Sequence, residues 1–127
     1  MTSHEQNVQE AFGRLCAVFK MPGLNLRFMN PERKVNTKSA YTQGSAILSR
    51  NLITVDIYTP RFRKPKSLNG IIRILAHEIA HYQKPPYRQR YRGHLIARQH
   101  YPAFYRQVTR NIDKIKRDPI LKQFFKN

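Results

Sequence analysis

The stretch that decides the fold is "IIRILAHEIAHYQKPP", residues 71 to 86. Ser67 or Asn69 can cap a helix here, and the two prolines stop it at about Lys84. Each helical residue advances about 100°, so His77 and His81 project from one side, one turn apart. The opposite side carries the apolar residues Ile71, Ile72, Leu75, Ile79 and Tyr82. The sequence therefore predicts a helix that packs by one face and presents its histidines from the other.

The two histidines, with Glu78 beside the first, have the spacing of a catalytic zinc site. Zinc suits two imidazoles and one further protein ligand, which leaves a fourth position open. Glu78 would then activate a zinc-bound water as the general base in hydrolysis of an amide, most naturally a peptide bond. Two other interpretations stay open, namely a surface pair of histidines and a purely structural metal site.

The third ligand has few candidates, because the chain contains only seven acidic residues. After Glu78 the next carboxylate in the chain is Asp113, so no nearby downstream glutamate can complete the site. The remaining candidates are His94, His100, Asp113 and Asp118. Histidine is the better zinc ligand of the two residue types, which leaves two histidines to choose between.

Three segments of the chain resemble the SprT-like metalloproteases, the group that contains bacterial SprT and eukaryotic Spartan. They are "ILAHEIAH" at 74 to 81, "HYPAFY" at 100 to 105, and "GSAILSRNLITVDIYTP" at 44 to 60. The resemblance spans roughly residues 5 to 117. Only the active-site motif within it is specific.

The resemblance implies a zincin-like fold in which His77, His81 and His100 bind Zn²⁺ and Glu78 is the catalytic residue. It also implies an endopeptidase that hydrolyses proteins bound or covalently crosslinked to DNA, in DNA repair. Family members often carry a further cysteine-rich zinc module or DNA-binding region. Such a module needs cysteines that this chain lacks, so the protease domain itself would have to bind DNA.

The charge of the chain also indicates a nucleic-acid partner. Its 24 Lys and Arg residues against seven Asp and Glu give a formal net charge of +17, which attracts polyanions. Cations and rings alternate in "PRFRKPK" and "YRQRYRG", which flank the predicted active-site helix. The predicted contacts to DNA, either single-stranded or protein-bound, are Arg61, Arg63, Lys64, Lys66, Arg88, Arg90 and Arg92.

Two other functions remain possible. One is a basic nucleic-acid-binding protein with a structural or degenerate metal site. The other is a metal-dependent nuclease or amidase, although phosphodiester hydrolases usually gather more carboxylates than this chain has. An electrophilic group for the oxyanion is expected from Tyr82, Tyr101, Tyr105 or Arg98. Asp56 and Asp113 could support a ligand imidazole, but ordinary surface or helix-charge roles fit them better.

The remaining segments predict an α+β fold, with a small three- to four-stranded antiparallel or mixed sheet packed on helices. A helix is expected over residues 5 to 19, and another from Pro102 to about residue 117. A strand is expected over 24 to 29, and an antiparallel hairpin over 45 to 58.

The connecting segments are less regular. Residues 30 to 44 predict a loop or a ragged edge strand, and residues 87 to 100 a basic, partly helical connection. The last residues, "PILKQFFKN", are apolar enough to pack on the body. The whole chain, 1 to 127, is expected to form one domain and a monomer.

The location of the protein is also an expectation from the sequence. The single cysteine, Cys16, excludes an internal disulfide, and no apolar run approaches the ~20 residues of a membrane span. The first ten residues are polar and predict no secretory signal. We therefore expect a cytoplasmic, nucleoid-associated protein, or a nuclear one in a eukaryote, without membrane contact.

Overall fold

The computed structural model describes residues 2 to 36 and 41 to 125. Its regular elements in this part of the chain are α1 (Ser3–Val18), β1 (Asn25–Phe28), β2 (Gly44–Ile47), β3 (Leu52–Val55), α2 (Leu68–Gln83), β4 (Tyr87–Tyr91), β5 (His94–Arg98) and α3 (Pro102–Arg117). Short 3₁₀ helices cover Leu48–Arg50 and Leu121–Phe125. The predicted α+β class is confirmed. The loop prediction for 30 to 44 includes residues 37 to 40, which lie outside the described residues.

Strand β3 is the centre of a three-stranded mixed sheet with the order β1-β3-β2. It runs parallel to β1, with Leu26 opposite Ile53, and antiparallel to β2, with Ala46 opposite Ile53. The predicted hairpin of β2 and β3 is therefore confirmed. Asn51, at a φ of 49°, ends the 3₁₀ helix that connects the two strands. This order leaves β2 at one edge of the sheet.

The core lies between one face of this sheet and the helices α1 and α2. Residues Ile53, Val55 and Ile57 alternate along the central chain segment and are fully buried. The apolar face predicted for α2 is confirmed at four positions, which are the fully buried Ile71, Ile72, Leu75 and Ile79. Ser67 caps this helix, since its Oγ accepts a hydrogen bond from Gly70 N at 3.1 Å. The cap and the buried face together fix the rotation of α2.

The C-terminal segment packs on the body, as predicted. Leu121 is fully buried, and Phe124 and Phe125 pack against the core. The Asp118 carboxylate joins this end to α1 through two hydrogen bonds from Arg14, at 2.6 and 3.0 Å. The Arg14 guanidinium lowers the pKa of Asp118 to about 2.

The prediction of a partly helical connection over residues 87 to 100 is wrong. Strands β4 and β5 form an antiparallel hairpin, with Tyr87 opposite Arg98 and Tyr91 opposite His94. The two turn residues, Arg92 and Gly93, have φ values of 49° and 79°, the positive values that a tight hairpin turn requires. The hairpin forms a separate sheet whose residues are mostly exposed.

Membrane insertion by a helix finds no support in the fold. Among the residues that the structure describes, no helix combines the length and the hydropathy that crossing a bilayer demands.

Candidate metal centre

Three imidazoles converge at one end of a cleft beside α2. His77 and His81 come from α2, and His100 comes from the residues just before α3. One ring nitrogen from each lies within 4.8 Å of the others. His77 is half-buried, His81 is buried and His100 is exposed, so the cluster sits at the boundary between core and solvent.

The spacing of the imidazole nitrogens fits a tetrahedral metal ion. Zinc binds histidine nitrogen at 2.0–2.1 Å, so two ligands on a tetrahedral ion lie about 3.3 Å apart. Nε2 of His77 and Nε2 of His100 are 3.3 Å apart. An all-nitrogen donor set suits zinc, copper, iron or nickel better than magnesium or calcium. These residues therefore fit a transition metal such as Zn²⁺.

The order of the chain explains why His100 reaches the pair on α2. Tyr101 has an extended backbone at the N-terminus of α3, and Pro102 starts the helix. The buried Asn111 ties α3 to α2, because its Nδ2 donates hydrogen bonds to Ala76 O at 3.2 Å and to Gln83 Oε1 at 2.7 Å. Docking of α3 on α2 thus sets the position of the third imidazole.

Phe104 contacts all three imidazoles and supports them from the core side. Its ring is fully buried and stacks on His81, with centroids 4.4 Å apart and planes at 27°. It meets His77 and His100 edge to face at centroid distances of 4.9 and 5.1 Å. The sequence did not reveal these contacts, although Phe104 lies in "HYPAFY", one of the segments that resemble the SprT-like family.

The electrostatics of the site keep the two imidazoles of α2 neutral. Burial, and then the charges of His77 and His100, lower the pKa of His81 to about 4. Burial, and then His100, lower the pKa of His77. A neutral imidazole has a free lone pair, which a metal ion needs. Both rings on α2 are therefore in the protonation state of a ligand at neutral pH.

Glu78 lies beside the cluster with only 5% of its surface exposed. Burial raises the pKa of its carboxyl to about 7, which suits a group that accepts and returns a proton near neutral pH. The backbone of β2 packs tightly against it. A Cβ built on Gly44 would lie 3.2 Å from Oε2 of Glu78 and 2.8 Å from Cγ2 of Ile74. A small residue at position 44 is thus required for this close approach, which the sequence did not reveal.

The cleft has a volume of about 630 Å³ and runs between the edge strand β2 and the histidine cluster. It is lined by Tyr41, Thr42, Gln43, Gly44, Ser45, Ala46, Leu48, Arg73, Ile74, His77, Glu78, His81, Pro86, Gln99 and His100. All four residues predicted for the metal and for catalysis are in this set. His94, the alternative third ligand, instead lies on β5 opposite Tyr91.

The candidates for stabilising an oxyanion are mostly engaged elsewhere. The Tyr82 hydroxyl donates to Ile47 O and Leu52 O at 3.1 and 3.3 Å. The Tyr101 hydroxyl donates to Pro85 O at 3.0 Å. For the other two, Arg98 Nε donates to Gln89 Oε1 at 2.8 Å, while the Tyr105 ring stacks beside His100 at a centroid distance of 6.2 Å.

Two of the seven cations predicted to contact DNA have partners inside the protein. Both oxygens of Asp56 accept hydrogen bonds from Arg63, at 2.9 and 3.0 Å. Nζ of Lys66 donates to Asp56 O at 3.0 Å and to Gln43 Oε1 at 3.2 Å. The surface role expected for Asp56 is wrong, because this residue is fully buried and also binds Arg33. Asp113 is exposed, as expected.

The other five cations are exposed and form two groups. Arg61 and Lys64 lie in the turn that follows β3, and Arg88, Arg90 and Arg92 lie on the β4-β5 hairpin. The hairpin begins after Pro86 and ends before Gln99, and both of these residues line the cleft. The turn is connected to the cleft by the hydrogen bond from Lys66 to Gln43, which also lines it. Each group thus lies in a segment that is linked to a residue lining the cleft.

Comparisons of the chain with models of known protein families, with curated proteins and with solved structures give no match.

Proposed function

We propose that the chain is a zinc-dependent endopeptidase of SprT-like type, with a zincin-like fold, that hydrolyses proteins bound or crosslinked to DNA. The observation that carries this proposal is the convergence of His77, His81 and His100 at one end of an open cleft, with Glu78 beside them. Structural zinc sites are closed by four protein ligands, whereas catalytic sites have three and remain open. The cluster in the described residues has three members and borders solvent, which supports a catalytic ion.

The residues of the cleft can perform peptide hydrolysis. His77, His81 and His100 would hold a zinc ion, which would supply Lewis acidity for the attack of water on a carbonyl. Glu78 accepts the proton of the attacking water at its carboxylate and delivers it to the leaving amine. Phe104 and the body of α3 shield the far side of the imidazoles from water.

The edge strand supports a peptide substrate over a small molecule. Strand β2 pairs with β3 along one edge, and Gly44, Ser45 and Ala46 of β2 line the cleft. An extended peptide can add to such an edge through backbone hydrogen bonds, which lays its carbonyls across the cleft beside the histidines. This arrangement favours an endopeptidase, because the cleft is open and does not demand a chain terminus.

The charge of the protein supports DNA as the place where it works. The whole chain has a formal net charge of +17, and five of its cations are exposed on the turn and the hairpin. Proteins with such a field bind nucleic acid through phosphate contacts, with strong salt dependence. On this proposal the enzyme acts on the bacterial nucleoid or in a nucleus.

The experiment uses zinc-loaded protein and a basic DNA-binding protein as substrate, with and without single-stranded DNA. We expect cleavage that Glu78→Gln and chelation abolish, while the surface substitution Glu10→Gln leaves it intact. Unchanged substrate in every lane would argue for the second candidate, a basic nucleic-acid-binding protein with a structural or degenerate metal site. That candidate is favoured by the charge alone, and its DNA binding would survive Glu78→Gln. Loss of DNA rather than protein in the same lanes would indicate a nuclease.

A further inference from the structure

We propose that Phe62 is a stacking anchor for an unpaired base of single-stranded DNA, a role that rests on the proposed function for its choice of DNA as partner. The Phe62 side chain is 70% exposed, more than any other large hydrophobic side chain in the described part of the chain. Its segment carries no acidic residue between Asp56 and Glu78. Single exposed rings are common on protein surfaces. A binding role for Phe62 therefore depends on the contacts that hold its turn and on the residues beside the ring.

The turn that carries Phe62 is held rigidly. Thr59 N donates to Lys64 O at 2.6 Å, and Lys64 N donates to Thr59 Oγ1 at 3.0 Å. Directly after Phe62, Arg63 adopts a φ of 51°, in the left-handed region that costs a non-glycine residue about 1–2 kcal/mol. The turn therefore keeps a strained backbone at the position next to the exposed ring.

The Arg63 side chain explains how the strained turn persists. Its guanidinium reaches inward to both oxygens of the fully buried Asp56 and also donates to the carbonyls of Asn30 and Pro31, at 3.2 and 3.0 Å. The arginine thus anchors the turn to the body while its neighbour Phe62 points outward. Because the backbone that carries Phe62 is already held, it loses little further conformational entropy when a ligand binds to the ring.

The neighbours of Phe62 match a single nucleic-acid strand. The Arg61 guanidinium lies 5.1 Å from the centre of the Phe62 ring, and Lys64 is exposed on the same turn. Rings flanked by cations bind single strands by stacking on bases and by contacting phosphates. Paired bases offer no free face inside a duplex, so the ring selects unpaired ones. Through Lys66 and Gln43 the turn adjoins the cleft, so a strand held there keeps its bound protein near Glu78.

The test exploits the absence of tryptophan from the sequence. In Phe62→Trp, prepared in the Glu78→Gln background, the single indole reports directly on stacking. We expect oligo-dT to quench its emission, whereas a blunt duplex leaves it unchanged. Phe62→Ala should weaken the Kd for oligo-dT roughly 5- to 100-fold, as expected for loss of one base–aromatic stack. Its salt dependence should stay the same because no cation is removed.

Two control variants complete the experiment. Ile120→Ala removes another exposed apolar side chain, 47% exposed, and should leave the Kd unchanged. Arg61→Ala should reduce the salt dependence as well as the affinity. Thermal unfolding of each variant shows whether the fold is intact.

The proposal is overturned if Phe62→Ala binds oligo-dT as tightly as the parent, or if it weakens duplex binding equally. It is also overturned if phosphatidylserine–phosphatidylcholine vesicles, and not oligo-dT, change the indole emission. Because all readouts are binding measurements on a Glu78→Gln protein, they stand whether or not the chain proves to be a peptidase. Conversely, failure of this test leaves the cleavage experiment unaffected.

Discussion

Gly44→Ala tests whether the close approach of β2 to α2 is what places the Glu78 carboxylate. The added methyl group would meet Cγ2 of Ile74 at 2.8 Å, and Oε2 and Cγ of Glu78 at 3.2 and 3.3 Å. Real Cβ atoms do not tolerate the first of these distances, so either the strand or the two side chains must move. Both side chains belong to α2, whose opposite face is buried and cannot yield easily.

The expected magnitude combines two opposing effects. Overpacking of this kind destabilises the fold by about 1–3 kcal/mol. Replacing glycine by alanine also lowers the conformational entropy of the unfolded chain, which stabilises the fold by about 0.4–1 kcal/mol. We therefore expect Gly44→Ala to lower the free energy of unfolding by roughly 1–2 kcal/mol. If Glu78 is the general base, a displacement of its carboxylate by about 1 Å should reduce turnover on the order of 100-fold.

Urea unfolding and cleavage of a basic protein substrate measure the two effects, with Gly13→Ala as the matched control. A Cβ on Gly13 meets nothing within 4 Å, and this residue lies inside α1, so the same substitution should stabilise by about 0.5–1 kcal/mol. Adding Ile74→Ala to Gly44→Ala should show favourable coupling of about 1 kcal/mol, because the shortest contact disappears. A Gly44→Ala protein as stable as the parent, or a double-mutant cycle without coupling, would refute the reasoning.

Three further predictions concern the metal site and the fold. His100→Ala should abolish stoichiometric zinc binding measured by elemental analysis, whereas His94→Ala should retain it; the reverse result would reassign the third ligand. Phe104→Leu should weaken zinc binding, measured by competition with a chelator, while the protein remains folded. An unchanged affinity for zinc would mean that the ring only packs in the core and does not position the imidazoles. Asp118→Asn should cost roughly 1–2 kcal/mol of stability at pH 7, discounted for the partly exposed Arg14. Because the folded pKa of Asp118 is lowered to about 2, this stabilisation is present above pH ~4 and lost as the pH falls towards 2. Melting curves of both proteins should therefore converge in acid, and a constant difference would contradict the ion pair.

The helix α2 could be predicted because independent signals coincide in its sequence. The apolar period, the cap at Ser67 and the stop at Pro85 all define the same segment, and the histidine spacing then follows from helical geometry. Local signals of this kind need no knowledge of the tertiary structure. The same holds for β3 and the residues after it, where the β-branched Ile53, Val55 and Ile57 stand at every second position.

The β4-β5 hairpin escaped prediction because its strands lack the usual apolar alternation. In "YRQRY" the two arginines alternate with tyrosine and glutamine, and both faces are exposed, so no buried face imposes a hydrophobic period. Its turn is Arg92-Gly93 rather than the Asn-Gly or Asp-Gly pairs that mark such turns most strongly. The glycine was the signal that could have indicated it.

Because this hairpin was not predicted, the spacing of the histidines alone could not show which of them is the third ligand. Residues 84 to 99 separate His100 from α2, and only the fold of that segment decides which histidine returns to the site. The sequence likewise does not show whether a charged side chain points into the protein or into solvent. Arg61 and Arg63 look equivalent in "PRFRKPK", yet only the second reaches the buried Asp56.

The placement of the few acidic residues explains how the chain can combine a stable fold with a strongly cationic surface. Asp118 and Asp56 are buried. Asp118 binds one arginine, which joins α1 to the C-terminal end, whereas Asp56 binds two arginines, which join two loops to the residue after β3. Glu78 lies in the cleft. Three of the seven acidic residues thus stabilise the fold or line the candidate site, where they cannot screen the surface cations. If the protein binds DNA as proposed, adding acids to the surface would therefore weaken that binding without touching the core, whereas removing Asp56 or Asp118 would weaken the fold before it changed the surface field.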